Sequence, residues 1–197
     1  YRRLLDKKGR AEQKRFLIEG VRLIGDAQAN SVKIERLIYD KVKYEKLKGI
    51  IDTATQAGID CIEANEKVVS ALSDTTNSQG VVAVCNYFEV PLPSSKKDDD
   101  IIVVLDGLQD PGNIGTIMRT AEAAGVAGVV MSEGSVDKYN PKLVRATMGA
   151  IFRLPLIQCE LGEFISKHKK IGWQVVAAAL GGVSFYERKA QNKAKLL

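Results

Sequence analysis

The stretch Ile101–Val130 constrains the fold of this 197-residue chain more than any other. It begins with the apolar, mostly β-branched run Ile101–Leu105, which is typical of a buried parallel strand. A polar loop of Asp, Pro and Gly follows, and Asn113 is predicted to cap a helix over about 114–124. A second apolar run at 128–131 completes a βαβ unit. The loop of such a unit lies at the carboxyl end of its first strand, where open α/β sheets bind ligands.

The polar loop does not match the common nucleotide-binding loops. It lacks the G-x-G-x-x-G spacing of dinucleotide-binding units, and no G-K-[ST] follows it. A mononucleotide-binding enzyme with a doubly wound sheet is therefore disfavoured.

Helical spacing places the apolar side chains of the predicted helix on one arc that faces the sheet. They are Ile114, Ile117, Met118, Ala121 and Ala124. Arg119 falls nearly opposite this arc, beside Glu122. Geometry alone leaves two interpretations open. Arg119 is either a solvated surface residue, with Glu122 in reach as an i,i+3 partner, or a cation free to reach a ligand above the strand ends.

Strands and helices alternate over the carboxyl-terminal half. Strands are predicted at 101–105, 128–131, 151–157 and 174–180, and helices at 113–124, 141–149 and 161–170. The helix at 141–149 is predicted to bury Met148 and to leave Arg145 outward. The alternation predicts a parallel sheet with helices on both faces.

The amino-terminal half predicts a separate, small α/β domain. Its strands are predicted at 17–19, 36–39, 60–64 and 81–87, and its helices at 21–29, 42–57 and 66–72. The composition then changes to EVPLPSSKKDDD, whose prolines, serines and like charges are typical of a linker. We therefore predict a domain over 1–90, a linker over 91–100 and a second domain over 101–197.

The composition disfavours several classes of protein. Hydrophobic residues make up 45% and charged residues 27% of the chain, as in ordinary globular proteins. No apolar run approaches the roughly 20 residues that a membrane span needs, and we expect no signal peptide. The three cysteines lack a metal-binding spacing, which favours reduced thiols in a cytoplasmic protein. We expect neither a metal site nor a membrane partner.

The net charge of +5 is concentrated near the amino terminus. The basic side chains of residues 1–20 are Arg2, Arg3, Lys7, Lys8, Arg10, Lys14 and Arg15. Such a segment either contacts the phosphates of a nucleic acid or forms a solvated amphipathic helix.

Four segments, in order along the chain, carry a recognisable pattern. The first two are FLIEGVRLI at 16–24 and SQGVVAV at 78–84. The third is an N-x-G-x-x-x-R-T-A motif formed by Asn113, Gly115, Arg119, Thr120 and Ala121. The fourth is NPKLVRATMGAIFRLP at 140–155. Together they resemble the SpoU/TrmH family of RNA ribose 2′-O-methyltransferases, a branch of the SPOUT superfamily, with its amino-terminal substrate-binding domain.

The resemblance implies a parallel-sheet SPOUT domain with a trefoil knot, a rare exception to unknotted chains. It also implies S-adenosylmethionine as cofactor, RNA as substrate and a homodimer paired through the knotted domain. Ribosomal RNA is favoured over tRNA, because the amino-terminal domain resembles those of ribosomal-RNA members. The two further motifs of the family have no counterpart before Leu197. We therefore expect the knot segment to be missing here, which leaves a non-catalytic RNA-binding protein as the rival.

Catalytic and cofactor-binding roles follow from the same resemblance. Arg119 is implied as the catalytic residue that activates the ribose 2′-hydroxyl, with Asn113 beside it. Ala178 and Leu180 match positions that line the adenosine pocket.

RNA contacts are expected at three cations. Arg145, on the helix begun by Asn140, is expected to contact a phosphate. Lys14 and Arg15 are expected to do so from the basic amino-terminal segment.

Overall fold

The computed structural model describes residues 1–93, 97–184, 187 and 193–197, which form two sheets. The strands of the first are β1 Arg15–Glu19, β2 Ile34–Asp40, β3 Asp60–Ala64 and β4 Val81–Asn86. Its helices are α1 Lys7–Gln13, α2 Val21–Ala29, α3 Tyr44–Gln56 and α4 Glu66–Ser70. The strand order is β1-β4-β2-β3, and β2 pairs parallel with β3 while β4 runs antiparallel to both of its neighbours.

The second sheet has the order β7-β6-β5-β9-β8, and its strand pairs are parallel. Its strands are β5 Ile101–Leu105, β6 Gly128–Ser132, β7 Leu156–Cys159, β8 Gln174–Val175 and β9 Lys195–Leu196. The helices of this half are α5 Pro111–Ala123, α6 Pro141–Ala146 and α7 Leu161–Lys170. The predicted α/β fold with a parallel sheet is confirmed. None of the helices in the described ranges combines the length and apolar composition that a membrane crossing requires.

Two predicted elements around α6 differ from the structure. The helix predicted over 141–149 ends at Ala146, and Met148 and Gly149 both adopt positive φ, at 49° and 88°. The strand predicted over 151–157 is a 3-10 turn at Ala150–Phe152 followed by β7. Its apolar residues are buried by packing rather than by strand pairing, and a short apolar run does not distinguish these cases.

A further difference is the length of β8. The strand predicted over 174–180 is regular at Gln174–Val175, and the last hydrogen bond of this pairing runs from Val176 N–H to Leu196 O at 2.8 Å. The β-branched and small residues at 174–180 favour a strand by their propensity. A strand also needs a neighbouring strand whose backbone groups accept and donate its hydrogen bonds at each position.

An aromatic cluster joins the two halves. Phe16 of β1 and Tyr87 pack against Tyr139, with ring centroids 4.8 and 3.8 Å away. The Phe88 N–H donates to Tyr139 Oη at 2.9 Å, and the Tyr139 hydroxyl donates to the Phe88 carbonyl. Burial raises the pKa of the Tyr139 hydroxyl, which therefore stays neutral. Side chains from both halves thus share one core.

Arg10 adds a buried ion pair to this contact. Its side chain is 2% exposed, and its Nη2 lies 2.6 Å from Oδ2 of Asp137, in the loop before α6. Its Nη1 donates to the carbonyls of Leu4 and Leu5 at 2.9 and 2.8 Å. Arg10 is therefore neither available to an RNA phosphate nor solvated, so neither alternative for the basic segment holds for this residue. The run of basic residues gives no sign that Arg10 becomes buried in an ion pair with a carboxylate 127 positions away.

Candidate functional site

The loop after β5 leads directly into α5. The Gly107 N–H donates to Ser132 Oγ at 2.8 Å, which ties this loop to the end of β6. Asp110 Oδ1 accepts from the Asn113 N–H at 2.7 Å, and α5 begins at Pro111. Asp110 is therefore the N-cap, and the prediction of Asn113 as cap is wrong, because proline suits the first helical position. The exposed Asn113 side chain makes no hydrogen bond within the described residues.

Arg119 lies on the exposed face of α5. Ile114, Met118 and Ala121 are buried on the other face, as the helical spacing predicts. Ala124 is exposed, contrary to that prediction, because it caps the carboxyl end of the helix.

The residues one turn to either side of Arg119 contact the α6 region. Gly115 is so close to Ala146 that an added Cβ would lie 2.4 Å from the Ala146 Cβ. Glu122 accepts a hydrogen bond from Arg153 Nε, which raises the pKa of the Arg153 guanidinium. Glu122 is therefore not the partner of Arg119, and Arg119 is a solvated side chain. Among the described residues Arg119 has no hydrogen bond or ion pair, so its guanidinium is available to a ligand.

Arg145 lies on the neighbouring helix, α6. The Asn140 Oδ1 caps this helix by accepting the Lys142 N–H at 2.9 Å. Arg145 Nη1 lies 3.1 Å from Asp74 Oδ2, with the two side chains 39% and 42% exposed. Exposed pairs contribute only about 0–1 kcal/mol, so an RNA phosphate can replace Asp74 at small cost. Met148, predicted to be buried, is 44% exposed.

The segment after β8 presents apolar residues to solvent. Ala178 and Leu180 are both exposed, so their predicted place at the end of a longer strand is wrong. The backbone groups of these two residues have no hydrogen bond to any residue in the described ranges. Gly181 follows with φ 79° and open space around its Cα.

Lys14 and Arg15 lie apart from Arg145. Lys14 is exposed, and Arg15 Nε is 2.7 Å from Glu35 Oε2. They stand at the start of β1, whereas Glu19, at its other end, lines the same cavity as Arg145. A five-residue strand spans about 13 Å. The structure therefore does not bring these three cations into one site.

Two family models match the chain. The SpoU rRNA methylase family matches residues 100–197, and the MRM3-like substrate binding domain matches residues 1–83. The chain is 31% identical, over 194 residues, to the 23S rRNA (guanosine(2553)-2'-O)-methyltransferase RlmP of Bacillus subtilis. This alignment covers 98% of the chain and 74% of the relative. The chain belongs to the SpoU rRNA methylase family.

Other SpoU relatives and structures agree with this assignment. The mitochondrial rRNA methyltransferase 3 of Homo sapiens is 31% identical over 153 residues, which are 75% of this chain and 36% of that protein. The crystal structure of an AdoMet-bound rRNA methyltransferase from Sinorhizobium meliloti superposes with a TM-score of 0.84 at 33% identity. The superposition covers 99% of this chain and 74% of the neighbour.

Ala178 and Leu180 are the residues of this SpoU chain that could hold part of S-adenosylmethionine. Ala178 and Leu180 offer exposed apolar side chains together with free backbone donors and acceptors. This combination suits a flat heterocycle, which needs apolar cover and a few oriented polar groups. No cluster of three His, Cys, Asp or Glu side chains suited to a metal ion occurs in the described part of the chain.

Sequence reasoning missed three residues that the fold brings to Arg145. Glu19, Gln79 and Met148 line one cleft with it. Glu19 and Gln79 do lie in the two amino-terminal segments that resemble the family, but nothing in their spacing shows that they meet α6.

Proposed function

We propose that this chain is the substrate-binding and catalytic part of an RNA methyltransferase that modifies a ribose 2′-hydroxyl of ribosomal RNA. Membership in the SpoU family and the names of its relatives support the reaction and the substrate class. The structural observation that carries the proposal is the exposed guanidinium of Arg119, which has no hydrogen bond or ion pair to any described residue and lies inside the family motif on α5.

Arg119 would act on the attacking hydroxyl. A guanidinium keeps its proton at ordinary pH, so Arg119 orients the 2′-hydroxyl and stabilises the alkoxide charge that develops on it. The proton passes to a nearby phosphate or carboxylate. The free amide of Asn113 contacts the ribose or Arg119 from the start of the helix.

The cofactor contributes the methyl group. S-adenosylmethionine, when bound, supplies an activated methyl group with a good leaving group. Ala178 and Leu180 would hold its adenosine part, through apolar contact and through their free backbone groups.

RNA binding would be shared between two domains. We assign residues 1–90 to an RNA-binding domain, 91–100 to a linker and 101–197 to the methyltransferase domain. The exposed ion pair of Arg145 exchanges readily for a phosphate, Arg15 is half-buried in its pair with Glu35, and Lys14 has an exposed ammonium group.

We also propose that the full protein is a cytoplasmic homodimer, since SpoU members pair through this domain. Sedimentation at micromolar concentration is expected to show a dimer of the full protein, and a monomer at that concentration would contradict the proposal.

The test of the reaction is transfer of a tritiated methyl group from S-adenosylmethionine to ribosomal RNA from cells that lack the enzyme. Arg119→Ala is expected to abolish transfer while RNA affinity stays nearly unchanged, because one cation is lost from a larger phosphate footprint. Arg119→Lys is expected to fail almost as badly, since a point charge does not replace the planar guanidinium.

The matched control is Lys169→Ala, which removes an exposed cation of α7 and is expected to keep the wild-type rate. A wild-type rate for Arg119→Ala would refute the assigned role. Wild-type protein that binds ribosomal RNA without methylating it would identify the non-catalytic alternative, and faster transfer to tRNA would identify tRNA as substrate.

A further inference from the structure

The helix α5 carries an acidic side chain within reach of Arg119. The positions one turn away from residue i in a helix are i±3 and i±4. For Arg119 these positions are occupied by Gly115, Thr116, Glu122 and Ala123, of which only Glu122 is charged. Residues at this spacing have Cβ atoms about 5–6 Å apart, so a released Glu122 carboxylate reaches the Arg119 guanidinium. The helix therefore contains a group that competes with the substrate for Arg119.

Arg153 occupies both oxygens of the Glu122 carboxylate. Its Nε donates to Oε1 at 2.5 Å, and its Nη2 donates to Oε2 at 3.3 Å. Such a paired arrangement of guanidinium and carboxylate fixes the direction of both groups as well as holding them together. The Glu122 side chain is also partly buried, so water screens the pair only in part.

The turn after α6 brings Arg153 to α5. Gly149 has φ 88°, and the 3-10 turn Ala150–Phe152 follows it. A Cβ added to Gly149 would lie 2.4 Å from Asp26 Oδ2 and 3.3 Å from Arg153 Nη1, so the Asp26 carboxylate of α2 also lies near this guanidinium. The hydrogen bond to Glu122 and the charges of Glu122 and Asp26 raise the pKa of Arg153, which therefore stays protonated.

The hydroxyl groups beside Arg119 are engaged within α5. Thr116 donates to the Gly112 carbonyl and Thr120 donates to the Thr116 carbonyl, both at 3.0 Å. Arg119 itself has no hydrogen bond or ion pair with any residue in the part of the chain that the structure describes. Whether a carboxylate of its own helix binds the Arg119 guanidinium therefore depends on whether Glu122 is already occupied.

We propose that Arg153 is a positioning residue for methyl transfer, because it holds the Glu122 carboxylate and so keeps Arg119 free to act on the ribose hydroxyl. A released carboxylate slows the reaction in two ways. It binds the guanidinium before the reaction, and its negative charge opposes the alkoxide charge that develops in the transition state. The proposal rests on the action of Arg119 proposed above and adds the residue that keeps Arg119 available.

The first measurement is kcat and KM for methyl transfer to ribosomal RNA by the full protein. Arg153→Ala is expected to lower kcat about tenfold, which is less than the roughly 100-fold or greater loss caused by removing a transition-state donor. KM for RNA is expected to change by less than about twofold, because Arg153 is bound to Glu122 rather than to the substrate. Arg153→Lys is expected to lose less of kcat, since an ammonium group still holds the carboxylate in part.

The decisive variant combines Arg153→Ala with Glu122→Gln. An uncharged amide neither pairs with the Arg119 guanidinium as an ion nor opposes the alkoxide charge, so kcat is expected to return to within about twofold of the wild-type value. A purely structural role of the pair predicts the opposite, because loss of the second partner does not restore a lost contact. The matched control is Arg36→Ala, which breaks the exposed pair with Asp60 in the first sheet and is expected to keep the wild-type kcat.

A second measurement needs neither RNA nor S-adenosylmethionine. The rate at which phenylglyoxal modifies Arg119 is followed by mass spectrometry of peptides, with the exposed Arg22 as internal reference. Arg153→Ala is expected to slow the modification of Arg119 about twofold, as the strength of a surface pair within a helix implies. Adding Glu122→Gln is expected to restore the rate.

A wild-type kcat in Arg153→Ala, or a loss that Glu122→Gln does not restore, would overturn the proposal. An unchanged modification rate at Arg119 would overturn it as well. A large loss of kcat in Glu122→Gln alone would identify this carboxylate as a participant in the transfer and would also contradict the proposal. Wild-type protein that does not transfer methyl groups refutes the proposed reaction, whereas the modification rates still decide whether Arg153 keeps Glu122 from Arg119.

Discussion

Asp137→Ala is expected to destabilise the protein far more than the loss of a surface ion pair does. Arg10 and Asp137 are 2% and 13% exposed and lie 2.6 Å apart. Exposed pairs contribute about 0–1 kcal/mol, whereas removing one partner of a buried pair costs about 3–5 kcal/mol, because the remaining charge is uncompensated. The carbonyls of Leu4 and Leu5 still accept from Arg10 in the variant. We therefore expect a loss of about 3–4 kcal/mol, in the lower part of that range.

The assay is urea denaturation, followed both by circular dichroism and by the fluorescence of Trp173, the single tryptophan of the chain. Coincident transitions from the two probes justify a two-state free energy of unfolding. In thermal unfolding the same loss corresponds to a decrease in Tm of about 6–16 °C, at about 2–4 °C per kcal/mol for a chain of this size. The destabilisation is expected to persist in about 1 M NaCl, because salt screens a buried pair weakly.

Two further variants separate the effect of burial from that of losing an ion pair. Asp60→Ala breaks the exposed pair with Arg36, whose side chains are 55% and 32% exposed, and is expected to cost less than about 1 kcal/mol. Replacing both members of the buried pair, Arg10→Met with Asp137→Leu, is expected to recover most of the stability lost in Asp137→Ala. If Asp137→Ala costs no more than Asp60→Ala, the argument from burial is wrong.

Two other predictions concern α5 and α6. Gly115→Ala places a Cβ 2.4 Å from that of Ala146 and is expected to cost about 1–3 kcal/mol in urea denaturation. Gly49→Ala in α3 meets no atom within 4 Å and is expected to be neutral or stabilising, so equal losses would contradict the packing argument. Arg145→Ala is expected to weaken RNA binding and to lower its salt dependence by about 0.7, one single-strand phosphate contact, whereas Asp74→Asn strengthens binding. Anisotropy titrations at several salt concentrations measure both effects, and an unchanged slope for Arg145→Ala would refute the phosphate contact.

Local patterns in the sequence predicted most of the secondary structure. The strand at 101–105 and the helix at 161–170 have the predicted bounds, and α5 buries Ile114, Met118 and Ala121 as its spacing requires. These features depend on residues within one or two turns of each other, which is why periodicity reveals them. The parallel sheet followed from the alternation of strands and helices.

The interpretation of Arg119 needed more than spacing. Helical geometry placed its side chain outward but left a surface pair with Glu122 open. The motif resemblance favoured a catalytic role, which stays a proposal. The structure then removed the pairing alternative, because Glu122 is bound to Arg153.

The tertiary structure alone decided how the two halves meet. The aromatic contacts of Phe16 and Tyr139 and the Arg10–Asp137 pair join residues more than a hundred positions apart. That docking buries one basic residue and brings Glu19 and Arg145 to the lining of one cleft. Composition determines the number of charged residues, and periodicity indicates which face of a helix is apolar. The partner of a charge depends on packing between distant segments, which no local pattern encodes.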